Sequence, residues 1–329
     1  MSSLVHPDRA LFAGEKLAPA LASCEHFAGS EKLILKALSL QESLGTIFDI
    51  TCDCEDGARA GEEHEHAEMV ARVMLSDANK HHRLGVRIHD HTHRSWKQDV
   101  DIVVGQAACR VAYVTIPKTT RVDAAAEVIA YVQDVAKRAG RSTLVPVHIL
   151  IETHGALEHV FALARLPAVE VLDFGQMDFV SDHHGLIPAT ALRSPGQFQH
   201  QLLVRAKAAV VAAAAAAGVV PAHNVCLNLK DEGVVRSDAE RANREFGFQR
   251  MWSIYPAQIE PIVAAMRPAF GEMEDAAAIL ALAQDASWGP IQFKGELHDR
   301  ATYRYYWSLL KRARATGMGI PDDADGRFF

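Results

Sequence analysis

Short runs rich in Val, Ile and Leu alternate along this chain with longer stretches whose apolar residues recur every three or four positions. A strand buried on both faces reads as a near-continuous apolar run, whereas an amphipathic helix shows the longer period. The alternation predicts βα units. Eight strands are expected: ALAS (20–23), IFDITC (47–52), GVRIH (85–89), VAYVTIP (111–117), VPVHILI (145–151), VEVLDFG (169–175), HNVCLNL (223–229) and MWSIY (251–255). Helix-compatible stretches such as SEKLILKALSL, EEHEHAEMVARVML and GALEHVFALARL lie between them, and VDAAAEVIAYVQDVAKRAG ends on a Lys-Arg-Ala-Gly stop. Eight strands alternating with helices favour a (β/α)8 TIM barrel over an open sheet. The barrel is expected over residues 1–284, with GEMEDAAAILALAQ as its closing helix. Beyond it, SWGPIQFKGELHD has no clear period, RATYRYYWSLLKRARATG is helical, and PDDADGRFF reads as a surface tail. Residues 285–329 therefore form a C-terminal helical extension, a lid or an oligomer arm.

The bulk numbers narrow the partners. The chain has 329 residues, is 49% hydrophobic, and carries a formal charge of −7 with its basic residues scattered. That balance argues against nucleic acid or an anionic membrane as the main partner. The stretch VVAAAAAAGVV is short, rich in alanine and broken by Gly218, so it reads as a packed helix and not a membrane span. Cys24, Cys52, Cys54, Cys109 and Cys226 make no zinc pattern. Their odd count, with no signal peptide, points to a reducing cytoplasm.

Reactive groups in such a barrel gather at the C-terminal ends of the strands. Glu152 follows the fifth strand and Asp178 the sixth, where both have left the apolar core and face one opening. Two carboxylates plus waters suit Mg²⁺, with Mn²⁺ as the alternative ion. Glu55 and Asp56, in DCEDG after the second strand, can hold waters of such an ion. Arg87, in VRIH, offers a planar fork for a carboxylate or an enolate oxygen, and Lys118 closes the fourth strand. A cation and an arginine facing the same oxygens stabilise charge developing on a carbonyl. This equipment suits carbon–carbon bond cleavage or formation through an enolate.

These segments resemble the citrate lyase β-subunit-like group of the HpcH/HpaI aldolase superfamily, which includes malyl-CoA lyases. DCEDG is similar to that family's D-L-E-D-A-V, VRIH to V-R-I-N, IPK to L-P-K, and ILIET with FGQMD to its I-E-T and F-G-x-x-D metal motifs. SIYPAQI resembles I-H-P-x-Q-I, with Tyr255 in place of the histidine, and ALASCEHFAG stands where the family has R-S-x-L-F-V-P-G. The resemblance covers residues 24–315. It implies a Mg²⁺-dependent lyase on a homotrimeric or homohexameric barrel. Glu152 and Asp178 would be metal ligands, Arg87, Glu152 and Lys118 would meet the substrate, and Glu55 and Asp56 would hold metal-bound water. GELHDRA resembles the family's G-K-M-I-D-R-P, which makes Asp299 the matching lid aspartate of an adjacent subunit. Arg87, Asp56 and Asp299 are thus the candidate catalytic groups.

Three functions are compatible with this pattern. The leading one is carbon–carbon cleavage of a β-hydroxy acyl thioester of the citryl- or malyl-CoA kind. The altered N-terminal motif supports a rival, an aldolase acting on free 2-keto or hydroxy acids. A third is a barrel that binds an acyl thioester or a partner without turnover. His183 and His184 follow Asp178 and could approach the substrate, whereas His64, His66, His89, His91 and His93 read as solvated or packing residues.

Overall fold

The computed structural model describes residues 5–57 and 60–329. Eight parallel strands close into a barrel in sequence order: β1 (Cys24–Ala28), β2 (Phe48–Asp53), β3 (Leu84–Arg87), β4 (Val114–Ile116), β5 (Val147–Ile151), β6 (Val169–Phe174), β7 (Val220–His223) and β8 (Arg250–Ser253). β8 returns to β1 with Cys24 opposite Met251 and His26 opposite Ser253, so no strand edge is left open. This is the (β/α)8 fold, with further helices C-terminal to the barrel. The alanine-rich run forms the helix Gln201–Ala217, stopped by Gly218 at φ 62°, a left-handed cap that glycine adopts without steric cost. Among the described residues no helix is long and apolar enough to cross a membrane.

Two strands lie where apolar runs do not point. The first is CEHFA, not ALAS, and the seventh is VPAH, ahead of the expected HNVCLNL. Both carry polar side chains because the interior of this barrel is charged. Arg250 stands 3.0 Å from Glu25 and 2.7 Å from Asp49, and Thr51 donates to Glu25 at 2.6 Å. His148 lies 3.4 Å from Glu25, and Trp252 Nε1 donates to Asp173 at 2.6 Å. Burial pushes the Glu25 carboxyl up, but Arg250 and His148 outweigh it and hold the group below the usual range. Ligand-type atoms of Glu25, His148 and Asp173 fall within 4.8 Å of one another. A guanidinium already supplies positive charge there and all three residues are fully buried, so the cluster reads as an internal ion network.

The residues group into two compact units: Ala22–Met266, and the residues up to Leu21 together with Arg267–Phe329. Ile259–Met266 is the helix that follows β8, while Phe270–Asp285 groups with the second unit. There Leu11, Met273, Leu280, Tyr303, Trp307 and Leu310 share a core. The stretch without a period is a hairpin, Ile291–Phe293 against Glu296–His298, with Lys294 and Gly295 both at positive φ as a tight two-residue turn needs. The last residues are not a surface tail: Asp322–Phe328 is helical, and Phe328 is buried against Trp307.

Candidate active site

At the C-terminal ends of β2 and β3 the register sets Asp53 directly opposite Arg87. Arg87 Nε donates to Asp53 Oδ1 at 2.7 Å and Nη2 donates to Oδ2 at 2.6 Å, a fork-on-fork pair that locks the guanidinium plane. Nη1 lies 3.0 Å from Glu55 Oε2. Of the five N–H donors of an arginine, about two remain for a substrate. Lys118 Nζ lies 2.5 Å from Glu55 Oε1 and donates to Asp56 at 2.9 and 3.1 Å. The acidic turn thus anchors both cations. Burial pushes the Asp53 carboxyl up, but Arg87 outweighs it and keeps the group ionised. Burial raises Glu55, and Arg87 and Lys118 only partly offset it.

Glu152 follows β5 and is 1% exposed. Its Oε1 accepts the Lys118 amide at 2.7 Å, an alignment made by Lys118 sitting at φ 46°, where non-glycine residues are rare. On the other side a Cβ at Gly175 would meet Glu152 Oε2 at 2.3 Å, so only glycine leaves room for that carboxylate. Asp178 is in the first turn of the helix Gln176–Asp182. Burial, then the charge of Asp178, push the Glu152 carboxyl up to about 8. A buried carboxylate with a second carboxylate beside it, at the mouth of a cavity, is an oxygen-donor set whose charge a hard divalent cation would relieve. The donor set therefore fits such an ion.

Glu152 and Asp178 line two cavities. One, of about 300 Å³, is lined by Arg87, Asp53 and Asp56 together with aromatic and aliphatic residues. The second, of about 470 Å³, is polar, with Lys118, His91, Thr153, Asp182 and His184 in its wall.

Arg87, Glu55, Asp56, Lys118, Glu152 and Asp178 are thus gathered at one barrel mouth. Asp299 belongs to the other compact unit, where its Oδ1 accepts the Ala301 amide and caps the helix Arg300–Ala315. His184 reaches the polar cavity, whereas His183 is buried and its Nδ1 hydrogen-bonds the Phe179 carbonyl at 2.6 Å. His89 pairs with Asp99 at 2.6 Å and stacks on His93. Tyr255 is about half exposed, and its amide is bound by Gln258 Oε1 at 3.2 Å. Sequence reasoning passed over Asp53 as an orienting group, although an acid and a base at the ends of successive strands are the signal for a register pair. It also passed over Phe27, Asn224 and Trp252, which line the smaller cavity.

A family model described as HpcH/HpaI aldolase/citrate lyase matches residues 39–256, the segment that carries every residue of this mouth. The chain belongs to the HpcH/HpaI aldolase/citrate lyase family. It is a carbon–carbon lyase by that membership. A solved structure of a citrate lyase from Burkholderia xenovorans is 52% identical, with a TM-score of 0.87, over 98% of this chain and 100% of that one. An L-malyl-CoA/β-methylmalyl-CoA lyase of Rhodobacter capsulatus is 23% identical over 312 residues, 90% of this chain and 96% of the relative. The CitE protein of Mycobacterium tuberculosis, solved with magnesium, acetoacetate and coenzyme A, shares the fold at 20% identity, with a TM-score of 0.68 over 90% of this chain and 99% of that one.

Proposed function

We propose that this member of the family is a Mg²⁺-dependent lyase that cleaves a β-hydroxy acyl thioester, of the citryl- or malyl-CoA kind, into a 2-keto acid and a shorter acyl thioester. The observation that carries the reading is that Glu152, Asp178 and Arg87, an arginine with about two spare donors, line one cavity. Magnesium in the CitE structure and the malyl-CoA activity of the Rhodobacter relative support it. In the cleavage the hydroxyl loses its proton, the carbon–carbon bond breaks, and its electron pair passes to the α-carbon of the thioester. The enolate so formed then takes up a proton.

The divalent ion, when bound, would supply Lewis-acid polarisation of the keto-acid oxygens. Glu152 and Asp178 would hold it, and Glu55 and Asp56 would take hydrogen bonds from its waters. Arg87 would orient the carboxylate and stabilise charge on the neighbouring oxygen, its plane kept in place by Asp53. Lys118 would fix Glu55 and Asp56 while its amide fixes Glu152. Asp299, from a neighbouring subunit of a homotrimer or homohexamer, would deliver the proton to the enolate carbon. The residues suit a cytoplasmic enzyme using Mg²⁺, with Mn²⁺ as a substitute.

A second reading, an aldolase for free 2-keto acids, is favoured by ALASCEHFAG, which lacks the arginine and proline of the family's N-terminal motif. The test is keto-acid release from a panel of β-hydroxy acyl-CoA thioesters and free hydroxy-keto acids, with and without Mg²⁺. Thioester turnover lost in Glu152→Ala supports the proposal. Turnover of free acids alone supports the second reading, and undiminished thioester cleavage by Glu152→Ala contradicts the metal assignment.

A further inference from the structure

The lining of the smaller cavity divides along the strand order. Asp53, Asp56, Arg87 and Glu152 come from β2 to β5 or just after them, and Phe27, Phe174, Val225, Leu227, Trp252 and Ile254 from β6 round to β1, with Asp178 following β6. Phe27 and Trp252 stack at 4.1 Å, and Trp252 is fixed by its bond to Asp173, so the apolar wall is preformed. Among the described residues Arg87 is the one cation lining the cavity, and Asp53 and Glu55 already hold it.

The neutral polar groups along the apolar wall are two amides, and the neighbouring network sets which way they face. The Asp238 carboxylate can only accept, so it takes Gln197 Nε2 at 2.8 Å and turns Gln197 Oε1 towards Lys207 Nζ and Asn224 Nδ2, both at 3.1 Å. With its Nδ2 committed there and to the Val225 carbonyl, Asn224 is left with Oδ1 unpartnered by protein. Gln176 is set the same way: Nε2 donates to the Leu192 carbonyl at 3.2 Å and Oε1 is unpartnered. Both residues are at least nine-tenths buried and line the cavity. The unpartnered atoms of both are oxygens, which can only accept, so neither brings a positive charge to the wall. Among the described residues, a second carboxylate against this wall would find no cationic side chain, and it would share the cavity with Glu152, Asp178, Asp53 and Asp56.

From this we infer that the keto-acid half of the substrate carries an uncharged, apolar substituent, branched aliphatic in size, lodged between Trp252, Phe174 and Leu227. The inference rests on the lyase reading above and narrows it, excluding a citryl thioester: a 2-keto acid with one carboxylate is released, not a dicarboxylic one. Burying each additional methylene is worth about 0.8 kcal/mol, or about fourfold in affinity.

The test is calorimetric binding of 2-keto acids to the full-length protein in saturating Mg²⁺. Glyoxylate, pyruvate and 3-methyl-2-oxobutanoate grade the substituent from hydrogen to isopropyl, and oxaloacetate adds a carboxylate at similar size. Affinity rising about fourfold per carbon, with oxaloacetate at least tenfold weaker than 3-methyl-2-oxobutanoate, supports the inference. Leu227→Arg, which adds a donor to the wall, then shifts preference towards oxaloacetate. Oxaloacetate binding as tightly as the branched acid overturns the inference while leaving the lyase reading standing. So does affinity that is flat or falling with size, as expected if the wall covers the thioester arm. If no 2-keto acid binds in a Mg²⁺-dependent way, the lyase reading itself fails and the inference with it.

Discussion

Replacing Gly175 with alanine perturbs the proposed metal pair through a single methyl group. The backbone there, at φ −89°, is open to alanine, so any effect arises from the contact and not from strain. The new Cβ would lie 2.3 Å from Glu152 Oε2 and 2.6 Å from its Cβ, where ordinary contact begins at 3.4 Å. Because the stem of the side chain is struck as well as its tip, rotating the carboxylate is not enough, and Glu152 must retreat by about 1 Å. A misplacement of that size in a reacting constellation costs about 10²-fold in rate, and loss of a supporting contact costs about 10–100-fold in metal affinity. Initial rates against Mg²⁺ concentration measure both, with thermal unfolding run alongside to show that the protein is folded. Gly271→Ala is the control, since nothing lies within 4 Å of a Cβ there. A folded Gly175→Ala variant with unaltered Mg²⁺ half-saturation and unaltered kcat would refute the placement of Glu152 as a ligand.

Other expectations concern the charge of the mouth and of the interior. Arg87→Lys loses the fork on Asp53 and should lower kcat about 10²–10³-fold with Mg²⁺ half-saturation changed only a few-fold, measured by steady-state kinetics. Arg250→Met leaves Glu25 buried without its guanidinium, and Asp49 with Arg83 alone, and should cost about 3–5 kcal/mol in urea denaturation. Burial pushes His148 down, but Glu25, Glu170 and Asp173 outweigh it and raise it to about 9. Its contribution to stability is complete below about 6.5, the ordinary histidine value, and is lost as pH rises through about 9. The midpoint of urea unfolding should therefore fall across that window, and His148→Gln should flatten the fall.

The mouth of the barrel was legible because its groups are tied to strand ends by chain position. An acid directly after an apolar run has one place to go, so Glu152, Asp178, Arg87 and Lys118 could be read from the order of residues. What the pattern hid was set by tertiary neighbours. Glu25 and Arg250 make β1 and β8 polar strands, acceptable only because each charge has its partner on the adjacent strand. Pro221 and His223 likewise break the apolar signal of β7. The hairpin at 291–298 is too short for any period to register, and the helix Asp322–Phe328 is held by a core that its own composition does not announce. The apolar wall was invisible for a different reason: Phe27, Phe174, Leu227 and Trp252 come from four separate segments, and only closure of the barrel brings them together.

The central claim is that Glu152 and Asp178 hold a divalent ion on which thioester cleavage depends. The most direct test is keto-acid release from β-hydroxy acyl-CoA thioesters by the wild-type protein and Glu152→Ala, each assayed with Mg²⁺ and with chelator. The account predicts turnover by the wild type in Mg²⁺ and at least a hundredfold loss in the other three conditions. Full turnover by Glu152→Ala, or by the wild type in chelator, would contradict it.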